Sequence, residues 1–539
     1  MQAFSLLHPH GQADRGRPLD RQSARAASAA AAAIAASLAI TAWIAGWRGG
    51  DLSAQLFRVN LFRRYGLTLW NPQWYGGHFT LSYSVLYPPV AAVVGMTLST
   101  ILSASAAAWS FARLSLGWFG SSARTGIVLF AVGTGSQIAI GQLPFLMGEA
   151  LALAALLAAS RRRWIVSGAL ALGASLTSPL AGAFLVLVIV AWAVSSHRPC
   201  LRPLIGICVI TALPVAITSI AFPGTGAFPY PSRDAALELL MIAVLTAAVP
   251  RRHRALRIGG LLYMGAMIAS YVIASPMGGN VSRLAESVAL PLVACVLWPT
   301  RRMLLAVVMV PMVLWQWVPA WPAMTTQPDE ASTYAAYYAP LVTFLSAEPN
   351  APSRVEVVPT KAHFEVSYVA PAVSLARGWE RQVDTADNAV FYDAGALTAA
   401  SYRAWLVDSG AQYVALPDAP LDFAATAEGA LVRDGVPGLT PVWQSEHWTV
   451  FAVDGSTGIV DGPASLDAIN GDVVSVHVDA AGTVRLKMRY NNHWSIEPQP
   501  TCVGRDPSGW LTFAAPQPGL YELRVGLTPV AQQPCVAGS

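Results

Sequence analysis

Asp51 stands four residues beyond the first long apolar run, residues 26–47, in the segment Trp47-Arg48-Gly49-Gly50-Asp51. A carboxylate held at the surface of an apolar layer can take a proton from a hydroxyl group and turn that group into a nucleophile. The plainer role for Asp51 is to cap a helix starting at Leu52. Glu149 follows Gly141-Gln-Leu-Pro-Phe-Leu-Met-Gly148 and opens another apolar run. It is either a second acid or base or a carboxylate favoured by the dipole at a helix start. Arg283, in Gly278-Gly279-Asn280-Val-Ser-Arg283-Leu-Ala-Glu286, sits where a guanidinium, Asn280 and backbone N–H groups can hold a phosphate. The competing account of Arg283 is a salt bridge to Glu286, three residues on. Arg233 and Arg58 are further phosphate candidates. In the segment from Leu69 to Tyr83, Trp70, Trp74, Tyr75, His78 and Tyr83 offer aromatic faces and one imidazole to an acceptor. An interfacial aromatic belt is the commoner use of such residues. His78 has no second histidine at ligand spacing, so no metal is expected there.

These groups are set in a chain that is 54% hydrophobic and 12% charged, against about 25% charged in an average protein. The formal charge of +4 hides two opposed halves. Residues 1–322 hold 23 Arg, no Lys and 7 acidic residues, whereas residues 323–539 hold 11 basic and 23 acidic residues. The arginines of the first half punctuate apolar runs instead of clustering on a surface, which excludes a nucleic-acid binder. The pattern is a membrane half followed by a water-soluble half.

Arg15, Arg17, Arg21 and Arg25 precede the first apolar run, which lacks a cleavage site and reads as a retained span behind a cytoplasmic tail, residues 1–25. A transmembrane domain is expected over 26–321, with a first outer loop at 48–103. Basic clusters at Arg124, Arg161–Arg163, Arg198 with Arg202, Arg251–Arg257 and Arg301 with Arg302 separate the later runs. They all fall on the cytoplasmic side only if the run 86–103, which starts at Pro88-Pro89, dips into the membrane without crossing it. That leaves about eleven spans, a re-entrant segment and a C-terminal half outside the membrane. Residues 52–65 read as an interfacial helix, with Leu52, Leu56 and Val59 on one stripe. Asp51, Glu149, Asp234, Glu238 and Glu286 then lie on the outer side, where polar chemistry is possible.

The order of first span, Asp51, interfacial helix, Trp70-Asn71-Pro72-Gln73-Trp74-Tyr75-Gly76-Gly77, Tyr87-Pro88-Pro89 and a multi-span body with an outer C-terminal domain resembles the GT-C superfamily of integral-membrane glycosyltransferases. Within it the sequence is similar to bacterial membrane proteins labelled 6-pyruvoyl-tetrahydropterin-synthase-related. The resemblance covers most of residues 26–450 and implies an α-helical polytopic fold. It implies an inverting transfer of mannose or arabinofuranose from a polyprenyl-phosphate donor to a cell-envelope glycan or lipid on the outer face. Asp51 would be the general base and Arg283 would hold the donor phosphate. The chain lacks the Asp-x-Asp motif of metal-dependent relatives, so neither metal nor other cofactor is expected.

From Pro322 the pattern changes to short strands separated by Pro, Gly and Asp, with an α/β domain expected over 322–464 and a β-sandwich over 465–539. Trp494 and Trp510 serve either as sandwich core or as glycan contacts. Cys502 and Cys535, the two cysteines of the polar half, can form one disulfide in an oxidising compartment. Two other functions fit the composition. A transporter or lipid flippase would place charged groups at mid-membrane and carry internal repeats. A silent scaffold would bind glycan through its outer domain.

Overall fold

The computed structural model describes residues 20–196, 200–299, 301–348, 354–531 and 533–535. Arg15 and Arg17 of the tail, and Arg198 of one basic cluster, lie outside them. The chain is mostly helical with a β-rich C-terminal region. It forms two compact units: Met1–Leu52, Leu81–Pro223 and Ala227–Pro328 make the first, and Ser53–Thr80, Gly224–Gly226 and Asp329–Ser539 the second.

Alanine-rich sequence builds the first unit. The helix Arg21–Ile44 starts at Asp20, whose carboxylate accepts from Ser23 N at 2.6 Å, and buries Ser28, Ala31, Ala35, Ala39 and Ala42. Small residues at this three-to-four spacing let neighbouring helices approach closely. Six helical stretches among the described residues are long and apolar enough to cross a membrane: Arg21–Ile44, Met96–Ile140, Leu143–Ser160, Leu201–Ala221, Arg254–Val272 and Gly278–Leu297. Shorter apolar helices, Trp164–Thr177, Pro179–Ser195 and Arg302–Trp317, accompany them. The run 86–103 is not one element. Tyr87–Val94 is a separate helix of 8 residues ending at Gly95, and Met96–Phe119 is a helix of 24. At 1.5 Å per residue the short one extends about 12 Å, too little to cross.

The helix predicted to start at Leu52 begins earlier, at Gly50, and ends at Tyr65. Asp51 is therefore inside its first turn and is not its cap. From Ser53 onward this helix belongs to the second unit, which corrects the interfacial reading. Ser53, Ala54, Gln55, Phe57, Arg58, Val59 and Leu61 are buried, a pattern without a lipid stripe. Phe57 and Leu61, which blur the amphipathic pattern in the sequence, are explained by burial around the helix.

The rest of the second unit is an α/β part and a sandwich. The five-stranded sheet runs in the order Ser374–Leu375, Arg354–Val357, Ala411–Pro417, Trp448–Val453 and Leu439–Gln444, parallel over the first three strands and antiparallel beyond. Two four-stranded antiparallel sheets follow. The strand Val460–Asp461 already pairs within one of them, so the sandwich starts before the expected residue 465. Trp494 and Trp510 are buried, as core residues are, and Cys502 is bonded to Cys535.

The strand Arg354–Val357 is buried on both faces and brings Glu356 to a charged cluster. Arg377 reaches Asp384 at 2.7 Å, Glu428 at 2.9 Å and Glu356 at 3.8 Å. One guanidinium cannot balance three buried carboxylates, so a proton must be held there. Burial, and then the charge of Glu428, raise the Glu356 carboxyl well above its usual range. Burial opposes ionisation of Asp384 too, but Arg377 outweighs it and keeps that group below its usual value. A carboxyl whose folded pKa is raised stabilises fully below the unfolded value, and that stability is lost as pH climbs toward the folded value. Glu356→Gln, which cannot ionise, is expected to be increasingly more heat-stable than the native protein as pH goes from about 5 to about 9. A difference in unfolding temperature that does not change with pH would remove Glu356 as the proton holder.

Candidate functional site

The start of the helix Gly50–Tyr65 is fixed by two backbone segments in close approach. Gly141 ends the helix Arg124–Ile140 in the left-handed region, with φ of 92°. A Cβ there would lie 2.3 Å from Leu52 N, and one on Gly49 would lie 2.3 Å from the carbonyl oxygens of Ala139 and Ile140. Neither position has room for a side chain. Arg48 N donates to Ala323 O at 3.0 Å and holds the segment from the other direction. The carboxylate of Asp51 is thereby set at one end of the helical unit.

Arg283 is the first residue of the helix Arg283–Leu297, entered through the 3₁₀ turn Gly278–Ser282. Gly126 lies against this helix, because a Cβ on it would come within 2.3 Å of Pro291 O and Cys295 Sγ. Nη2 of Arg283 is 3.4 Å from Oδ2 of Asp51, and both side chains keep access to solvent, at 17% and 18% exposed. The ion pair is thus made with a residue 232 positions away, where the sequence suggested Glu286.

Arg283 also lines a cavity of about 280 Å³ with Gln142, Tyr230, Glu238, Asn280 and Glu286. The hydroxyls of Tyr230 and Ser282 are each 2.7 Å from Oε2 of Glu238. Burial and the neighbouring Glu238 raise the Tyr230 phenol above its ordinary value, so it remains a donor. Arg233 is exposed and absent from the lining. Tyr230 and Glu238 were not singled out as site residues in the sequence. The available signals were the Gly/Pro-rich segment 224–233 and a carboxylate one turn into an apolar run.

Glu149 is elsewhere. It is buried, accepts from Gln137 Nε2 at 2.9 Å, and faces an apolar cavity of about 110 Å³ with Phe111, Trp118, Leu284 and Ser287. A second apolar cavity, of about 180 Å³, includes Trp192 and Tyr263. The two share Trp118, Val188, Leu284, Val288 and Leu292. One helix therefore carries Arg283 and Glu286 on a polar cavity and Leu284, Val288 and Leu292 on apolar ones.

The other candidates are in the second unit, apart from Tyr83, which is half-buried in the first. Arg58 is not a phosphate ligand in this arrangement, because Glu380 takes its Nη2 at 2.6 Å and it is 6% exposed. Its guanidinium lies over Trp74 and Trp379. Trp74 stacks on His78 with ring centres 5.3 Å apart, Trp70 meets Phe79 and Trp494 edge-on, and Tyr75 OH donates to Glu380 O. These rings are buried against one another, so their faces are not open to an acceptor. Burial, only partly offset by Glu380, keeps the His78 imidazole below its ordinary value. The described residues contain no group of three or more His, Cys, Asp or Glu suited to a metal ion.

No protein-family model matches the chain, and no curated protein matches it.

The close approach at Gly141 makes a direct prediction. Gly141→Ala combines an unfavourable φ with overpacking and should destabilise the protein by about 1–3 kcal/mol. Gly50→Ala, whose Cβ meets nothing within 4 Å, should be near neutral. Unfolding of both variants in detergent measures this, and equal stabilities would disprove the constraint on Asp51.

Proposed function

We propose that the chain is an integral-membrane glycosyltransferase of the GT-C type, which moves one sugar from a polyprenyl phosphate to a hydroxyl of an envelope glycan or lipid. In this reading the apolar helices from Arg21–Ile44 to Arg302–Trp317, without Tyr87–Val94, make eleven crossings. The arginine clusters then face the cytoplasm, and the C-terminal half is outside a bacterial plasma membrane. The helices Leu143–Ser160, Ser232–Ala248 and Arg283–Leu297 all run from the outer face toward an arginine cluster.

The observation that carries the reading is the Asp51–Arg283 pair, 3.4 Å apart beside a polar cavity and on the helix that also lines apolar cavities. A lipid phosphate has the same division, one charged group on an apolar chain. Its phosphate competes with Asp51 for Arg283, and when the guanidinium turns to the phosphate the carboxylate is released to act as a base. The acceptor oxygen loses its proton to Asp51 and bonds to the anomeric carbon as the carbon–oxygen bond to phosphate breaks. The configuration inverts, and the polyprenyl phosphate leaves with its charge paired to Arg283. The prenyl units nearest the phosphate would occupy the apolar cavities. Mannose and arabinofuranose both suit the scheme.

Purified protein supplied with labelled polyprenyl-phosphate mannose or arabinofuranose provides the test. Asp51→Asn should lower kcat at least about 100-fold, and Arg283→Ala should lower kcat/KM for the donor by about 10- to 100-fold. Unchanged transfer by Asp51→Asn would remove Asp51 from the mechanism. Lipid flux in proteoliposomes with no sugar transfer would replace the reading with a flippase.

A further inference from the structure

The second unit contains a cleft of about 1010 Å³ that plays no part in the reaction above. One wall is the helix Ala399–Ser409, presenting Ala400, Ala404 and Val407, and the other is the segment 455–462, which includes the strand Val460–Asp461. The floor is Arg485 and Lys487 of the strand Gly482–Arg489.

The polar groups of this cleft are fixed in place. Arg485 spans Asp408 at 2.7 Å, Asp461 at 3.0 Å and Asp506 at 2.5 Å. Lys487, whose side chain is 1% exposed, reaches Asp461 at 3.2 Å and donates to Thr457 Oγ1 and Gly458 O. Trp510 Nε1 donates to the second oxygen of Asp408 at 3.1 Å. Despite these contacts the Asp408 side chain remains 44% exposed, Asp461 27% and Arg485 27%. Carboxylate edges and a guanidinium edge, already oriented, are thus offered to the cleft.

Charge selects the class of ligand. Asp408 and Asp461 line the cleft with Arg403, Arg485 and Lys487, and Asp506, outside the lining, takes Nε of Arg485, so the signs of the cluster balance. An anion meets the carboxylates and a cation meets the guanidinium groups, whereas a neutral molecule rich in hydroxyls can donate to the first and accept from the second. The row of small side chains on Ala400, Ala404 and Val407 suits the C–H faces of pyranose or furanose rings. The volume is at the upper end of small-molecule sites, which run to about 1,000 Å³, so more than one ring fits.

We propose that this cleft binds a neutral oligosaccharide through Asp408, Asp461 and Arg485, as a site separate from Asp51. The inference does not depend on the transferase reading, and its test keeps the two apart. Full-length protein in nanodiscs is titrated by calorimetry with three neutral probes, mannotetraose, maltotetraose and an arabinofuranose tetrasaccharide, and with trigalacturonate as an anionic comparator. At least one neutral probe should bind saturably and more tightly than trigalacturonate. Ala404→Trp, a change at an exposed position that fills the cleft, should weaken that binding at least about 10-fold, as should Asp408→Asn. Asp51→Asn should leave it unchanged. Absence of binding by all three neutral probes overturns the proposal. So does tighter binding of trigalacturonate, affinity indifferent to Ala404→Trp, or affinity lost in Asp51→Asn.

Discussion

Two stretches of backbone, Gly49–Leu52 and Ala139–Gly141, lie so near each other that neither Gly49 nor Gly141 has space for a Cβ. The site of the first unit depends on this approach. It sets where the helix Gly50–Tyr65 begins, and so brings Asp51 to Arg283. A parallel contact, at Gly126 against Pro291 and Cys295, fixes the helix that carries Arg283. Both charged groups are thus positioned by close packing around glycines, which is a rigid way to hold a charged pair.

Charge is handled differently in the two units. In the first, the Asp51–Arg283 pair keeps access to solvent, and the described buried carboxylate Glu149 is held by an amide. In the second, Arg377 sits among three carboxylates with side chains at most 5% exposed. Burial and the charge of Glu428 favour a proton on Glu356, a cost consistent with a structural role. A solvent-reachable pair beside a cavity can exchange partners at far lower cost.

Which features were legible in the sequence follows from the range of the interactions that made them. The tandem apolar helices, the strands Val473–Val478 and Trp510–Ala515, and the helix start at Pro88-Pro89 rest on local periodicity and on proline. The fate of residues 53–80 does not. Their aromatic composition equally suits a membrane interface and a protein core, and only the Glu380 partner of Arg58, more than 300 residues away, distinguishes the two. Tyr75 and His78 were plausible acceptor contacts for the same reason and are buried in fact.

By itself the sequence determined the division into an apolar, arginine-punctuated half and an acidic β-rich half, because hydropathy and charge are sums over neighbouring residues. It also marked Asp51 and Arg283 as candidates among several, through their place at the edges of apolar runs and the resemblance those runs carry. That these two face each other, that Glu149 faces an apolar cavity instead, and that the loop after Asp51 joins the C-terminal half were decided by tertiary structure alone. Each of those outcomes rests on contacts between segments distant in the chain or on the direction a side chain takes from its helix, and local sequence encodes neither.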